Sequence, residues 1–137
     1  IRGILDSITS NPDYEITGIY LTGYASPEGS YAQNEVLSRD RTRALRDYLR
    51  CRYSFSANLY HVDWRGEDWI GLKRLILLYG MPNEEQVLSI MDNYNVFEGR
   101  EKRLMDLNNG KPYRYMMKHF FPELRRVDYK ITYKIIK

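Results

Sequence analysis

Near its end the chain alternates without a break. Val127, Tyr129, Ile131, Tyr133 and Ile135 fall on one side, and Arg126, Asp128, Lys130, Thr132 and Lys134 on the other. Successive side chains of a strand point to opposite faces, so this pattern predicts a strand with one buried and one wet face. A sheet that is apolar on one side needs a covering layer, and the remaining periodicities supply helices for it.

Ile4, Leu5 and Ile8 stand at helical spacing within residues 2–10, and Asn11-Pro12-Asp13 breaks that helix. Glu15 to Thr22 is rich in β-branched and aromatic residues and reads as a strand ending at Gly23. Ala57 to Trp64 reads as a second strand. Gly66-Glu67-Asp68-Trp69 turns into a helix whose buried stripe is expected to be Leu72, Leu75, Ile76 and Tyr79, with Glu67 and Asp68 read as capping residues and Gly80 and Pro82 as its end. Asn83 with Gln86 predicts a further start, for a helix holding Val87, Leu88 and Met91. A charged helix from Glu98 to Leu107 closes at Asn109-Gly110, and a short one from Tyr113 to Phe120 is stopped by Pro122. The expected architecture is α+β, with helices on one face of a small mixed sheet and extra helices, at about residues 80–122, before the last strand.

The longest predicted helix carries the feature most suggestive of a site. Ser30 can cap the amide of Gln33 while the Gln33 side chain reaches back, and the helix runs to about Arg50. At 100° per residue, Leu37, Arg41, Ala44, Leu45 and Tyr48 share one narrow sector. Glu35, Arg39, Asp40, Arg43, Arg46, Asp47 and Arg50 cover the other side. On this reading Arg41 lies on the inward face, and a guanidinium there requires a carboxylate, carbonyls or an anionic ligand. An internal ion pair, a snorkelling side chain and a ligand site all satisfy that requirement.

Composition narrows the function classes. The 137 residues suit one domain. A net charge of +3 comes from 21 basic and 18 acidic residues without a block of like charge, which argues against nucleic acid. Cys51 is the only cysteine, so no internal disulfide can form, and the two histidines offer no metal-ligand spacing. No stretch approaches the roughly 20 apolar residues that span a bilayer. The chain starts at Ile1 rather than methionine and is expected to be part of a longer protein.

The run Gly23-Tyr24-Ala25-Ser26-Pro27-Glu28-Gly29-Ser30, followed by Asn34, Leu37-Ser38 and Arg41, resembles the central motif of the outer membrane protein A C-terminal-like family. The likeness extends from about Ile16 to Trp69. The later Gly66-Glu67-Asp68-Trp69 and Phe121-Pro122-Glu123-Leu124-Arg125 look like the expanded variant of Bacteroidota outer-membrane proteins. The resemblance implies a noncatalytic periplasmic domain, associated with the outer membrane through regions outside this chain, that binds the diaminopimelate of a peptidoglycan stem peptide. It also implies a first sheet strand before Ile1. Family members use a loop Asp for the ligand's ammonium end and a helix Arg for its carboxylate. Arg41 matches that Arg, while Ser26 stands where the family has Asp and Tyr24-Ala25 where it has His-Thr. Tyr24, Ser26, Glu28, Asn34 and Arg41 are the candidate binding residues, with Glu28 a possible substitute carboxylate. No catalytic residue, metal or other cofactor is expected.

Other residues point to chemistry more weakly. Adjacent Glu67 and Asp68 suit capping better than acid–base work, and His61 and Asp63 share a strand face without a nucleophile placed by sequence. Cys51 between Arg50 and Arg52 lacks an identifiable base, while Trp64 and Trp69 suit either sugar stacking or a core. Two readings compete with peptidoglycan anchoring. One is a protein-interaction or assembly module with partners among envelope proteins, favoured by Ser26 and by the Tyr-rich, Lys-lined last strand. The other is a base-stacking sheet built on Tyr129 and Tyr133, which lacks a basic groove.

Overall fold

The computed structural model describes residues 1–136 and is an α+β sandwich. Helix α1 (Arg2–Thr9) precedes strand β1 (Tyr14–Ala25), and the long helix α2 (Tyr31–Arg52) leads to strand β2 (Tyr60–Glu67). Helices α3 (Trp69–Tyr79), α4 (Glu84–Asn93), α5 (Arg100–Asp106), α6 (Lys111–His119) and the single turn α7 (Phe121–Leu124) follow, and strand β3 (Arg126–Ile135) closes the fold. The sheet order is β2-β1-β3, with β2 parallel and β3 antiparallel to the central strand.

Helices α1 and α2 cover one face. A bulge at Thr17 shifts the phase of β1, so that Ile16 and Ile19, three residues apart, both turn to the helices. They pack there with Leu5, Leu21, Leu49 and Tyr60. The opposite face is open. Tyr20 stacks on His61 there at 4.5 Å between ring centroids.

The middle of α2 approaches the sheet more closely than an apolar stripe would permit. A Cβ on Gly23 would lie 1.8 Å from Thr42 Oγ1 and 2.5 Å from the Ser38 carbonyl, so only glycine fits beneath the helix. Ser38 and Thr42 are fully buried. Each hydroxyl donates to its own helix, Ser38 Oγ to the Glu35 carbonyl and Thr42 Oγ1 to the Ser38 carbonyl, and Ser38 Oγ accepts from Gly66 N. The buried face of α2 is therefore Asn34, Ser38, Thr42 and Leu49, with Leu45 half-buried. The expected inward sector is corrected accordingly. Leu37, Arg41, Ala44 and Tyr48 are exposed.

A second core lies among the later helices. Leu72, Ile76, Val87, Leu104, Met116 and Phe121 are fully buried there, with Met91, Tyr113, Phe120 and Leu124 around them. The expected α3 stripe holds at Leu72 and Ile76, whereas Leu75 is half-buried and Tyr79 is exposed. Several boundaries also shift. Residues Ala57–Leu59 form a short 3-10 turn, and the second strand begins at Tyr60. Pro122 sits in the first turn of α7, where a missing N–H costs nothing, instead of ending α6. Asn83 adopts φ 59° and makes no side-chain capping bond, although it does touch Gln86. β3 is an edge strand, so its apolar row is only partly covered: Val127 and Ile131 are half-buried, but Tyr129, Tyr133 and Ile135 are exposed.

Candidate functional site

The five candidate residues converge on the loop after β1, and they do so as two unlike halves. Ser30 caps α2 as expected, its Oγ accepting from Gln33 N at 3.3 Å, while the Gln33 side chain makes no return bond. One turn in, Asn34 is buried and its Nδ2 donates to the Glu28 carbonyl and to Glu67 Oε2, both at 2.7 Å. Asn34 thus fastens the loop to the end of β2 and is occupied in doing so.

Arg41 forms the first half. It is exposed, and its Nη1 donates to the Tyr24 carbonyl at 3.1 Å. Among the described residues no carboxylate pairs with it. A guanidinium carries five N–H donors, so most remain available on the solvent side, beside the loop. Of the meanings open at the sequence level, the internal ion pair is not what this arrangement contains.

Ser26 and Glu28 form the second half, which a residue outside the candidate set fills. Arg125, at the junction of α7 and β3, donates from Nε to Ser26 Oγ at 3.0 Å and from Nη2 to Glu28 Oε1. Ser26 is buried. A planar guanidinium presents two parallel donors to such a hydroxyl and carboxylate, so an internal cation sits where the loop offers acceptors. Tyr24 contributes its carbonyl to Arg41 and its ring to another cation, since the Arg126 guanidinium lies 4.2 Å from the ring centroid.

Behind the loop lies a polar seam between the two cores. Asp68 caps α3 by accepting from Gly71 N at 2.9 Å, as expected, and its other oxygen pairs with Arg126 Nη1 at 2.6 Å. Glu67, expected to cap, instead accepts from Asn34 and, at 3.0 Å, from Trp69 Nε1. The Arg100 guanidinium lies 4.7 Å from the Trp69 ring centroid. Burial raises the Glu67 carboxyl above its ordinary range, against the hydrogen bonds from Asn34 and Trp69. Burial likewise raises Glu101, which holds Gly29 N at 3.3 Å. The hydroxyl of Tyr113 is pushed far up by burial first and by Glu101, Glu28 and Glu67 next.

Arg125, Arg126, Glu101 and Tyr113 join this region without a sequence motif that assigns them to it. Their distance along the chain hides them: Arg125 meets Ser26 across 99 positions. The pair Arg125-Arg126 at the mouth of the last strand is the one local signal. Cys51 and Trp64 have ordinary surroundings: Cys51 is exposed, and Trp64 lies under Arg43 at 5.2 Å. Among the described residues no cluster of His, Cys, Asp or Glu could hold a metal ion, and no helix is long and apolar enough to cross a membrane.

The sequence matches no protein-family model, and no curated protein is significantly similar to it.

Proposed function

We propose that this chain is a noncatalytic cell-envelope domain that tethers an outer-membrane or surface protein to peptidoglycan, taking a carboxylate of the stem-peptide diaminopimelate at Arg41. The observation that supports this reading is the state of Arg41: exposed, steadied by the Tyr24 carbonyl, and unpaired with any carboxylate among the described residues. Orientation by a backbone carbonyl reduces the side-chain entropy lost on binding, and the remaining donors suit a bidentate carboxylate. The resemblance of the loop and helix to the outer membrane protein A C-terminal-like family supplies the ligand class. Cosedimentation with purified peptidoglycan tests the proposal. Retention of the wild-type chain and its loss in Arg41→Ala are expected, and equal retention of both overturns it.

Arg125 favours a second reading. Because its guanidinium already satisfies Ser26 and Glu28, the ligand's ammonium end would have to displace it or lie elsewhere. On that reading the fold serves as a protein-interaction or surface-assembly module without peptidoglycan affinity. Absence of cosedimentation in both the wild type and Arg125→Ala is its expected result.

A further inference from the structure

An open cleft of about 460 Å³ lies at the C-terminal ends of the parallel strands β1 and β2, against the start of α3. Crevices at that end of parallel strands are where sheet proteins commonly bind ligands. Its size falls in the range of small-molecule sites, roughly 300–1,000 Å³.

The cleft offers hydrogen-bond donors and few free acceptors. Three of its lining residues are arginines, Arg65, Arg74 and Arg126. Arg126 is locked by Asp68 and Asp128 through Nη1 and Nε, and among the described residues Nη2 has no partner. Arg65 pairs with Asp63 through Nε at 3.0 Å. Arg74 is exposed and makes no hydrogen bond or ion pair among the described residues. The carboxylates that line the cleft each accept from a neighbour, Glu67 from Asn34 and Trp69, Asp68 from Gly71 and Arg126, and Asp128 from Arg126 through Oδ1, while Glu123 lies with Arg74 and Arg126 along an adjoining groove. A locked guanidinium beside a free one is a preorganised receptor for a planar anion. The three lining cations are matched by three lining carboxylates, so the attraction for an anion is local to the unpaired guanidinium of Arg74 and does not extend to a dianion. Tyr24, Trp69 and Ile70 supply apolar wall, and Ile70 is 78% exposed.

We infer that this cleft is a second binding site, for a carboxylate borne on a ring-sized organic body, with Arg74 as its principal anion contact. Tyr24 joins it to the Arg41 site, giving its carbonyl to one and its ring to the other. The inference does not depend on peptidoglycan binding at Arg41.

The test is a titration at low salt followed by the indole N–H resonance of Trp69, with glucuronate, benzoate and the neutral sugar glucose as probes. Saturable shifts with at least one carboxylate and none with glucose are expected. Affinity for that probe should fall at least tenfold in Arg74→Ala and stay unchanged in Arg50→Ala, which removes an exposed arginine outside the cleft. The two carboxylates separate a sugar acid from an aromatic acid as the preferred body. No saturable shift with either carboxylate, an equal response to glucose, or unaltered affinity in Arg74→Ala would overturn the inference.

Discussion

Single residues decide how closely α2 sits on the sheet. Gly23 has no space for a methyl group because the obstacle is the Ser38 backbone as well as the Thr42 hydroxyl. Gly23→Ala should therefore cost about 2–3 kcal/mol or more in denaturant unfolding, at the upper end of overpacking penalties; a loss below about 0.5 kcal/mol would contradict the close approach. The same close approach moves Arg41 off the face to which hydrophobic periodicity assigns it. A hydrophobicity-based face assigns Ser38 and Thr42 to solvent, yet short hydroxyls that bond back to their own helix can be buried cheaply, and a glycine opposite makes that the tightest contact. Arg41 then falls on the shoulder of the helix. The raised carboxyls make a pH prediction at the same scale. Glu101 binds its proton more tightly when folded than unfolded, so it contributes stability below its unfolded pKa that is lost as pH rises through the folded value. Lowering the pH from 7 to 4.5 should shift the difference in unfolding free energy between the wild type and Glu101→Gln toward the wild type. Denaturant melts across that window check the sign, and a shift the other way would contradict the assignment.

At the scale of elements, α3 is the joint between the two cores. It leaves β2 with one intervening residue, Asp68, which bonds backwards to the Ala25 carbonyl through its N–H, forwards to Gly71 as the cap and sideways to Arg126. Asp68→Ala removes cap and ion pair together and should cost about 2–3 kcal/mol, of which the cap accounts for about 1. Asp68→Asn keeps a capping oxygen and should cost less; equal losses would mean that the cap contributes nothing. Most elements were legible in the sequence because each rests on a local rule: the Ser30 cap, the Asp68 cap, the stop at Gly80, the alternation of β3. What failed was burial wherever it depends on neighbours. The apolar row of β3 is half-exposed because the strand lies at an edge, and Tyr79 is exposed because the second core lies against Leu72 and Ile76. The 3-10 turn before β2 shows the same limit, since strand propensity in Ala57–Leu59 has no partner to pair with until Ile19 meets Tyr60.

For the whole molecule, the folded chain divides one loop into two halves of opposite status, Arg41 without a carboxylate among the described residues and Ser26 with Glu28 filled by Arg125. Residues 24–41 were identifiable as a candidate site because the loop, the cap and Arg41 are contiguous in sequence. The filling of the Ser26 and Glu28 half was not, because Arg125 arrives only when α7 hands the chain back to the sheet. Arg125→Ala, which removes a partly exposed ion pair, should change stability by no more than about 1 kcal/mol. The same variant frees Ser26 and Glu28 from Arg125, and on the proposed reading they would then accept from the ligand's ammonium end. The most direct measurement of the central claim is calorimetric titration with a diaminopimelate-containing stem peptide at low salt, using the wild type, Arg41→Ala and Arg125→Ala. The account predicts binding to the wild type, its loss in Arg41→Ala and equal or tighter binding in Arg125→Ala. Silence in all three, or undiminished binding without Arg41, would contradict it.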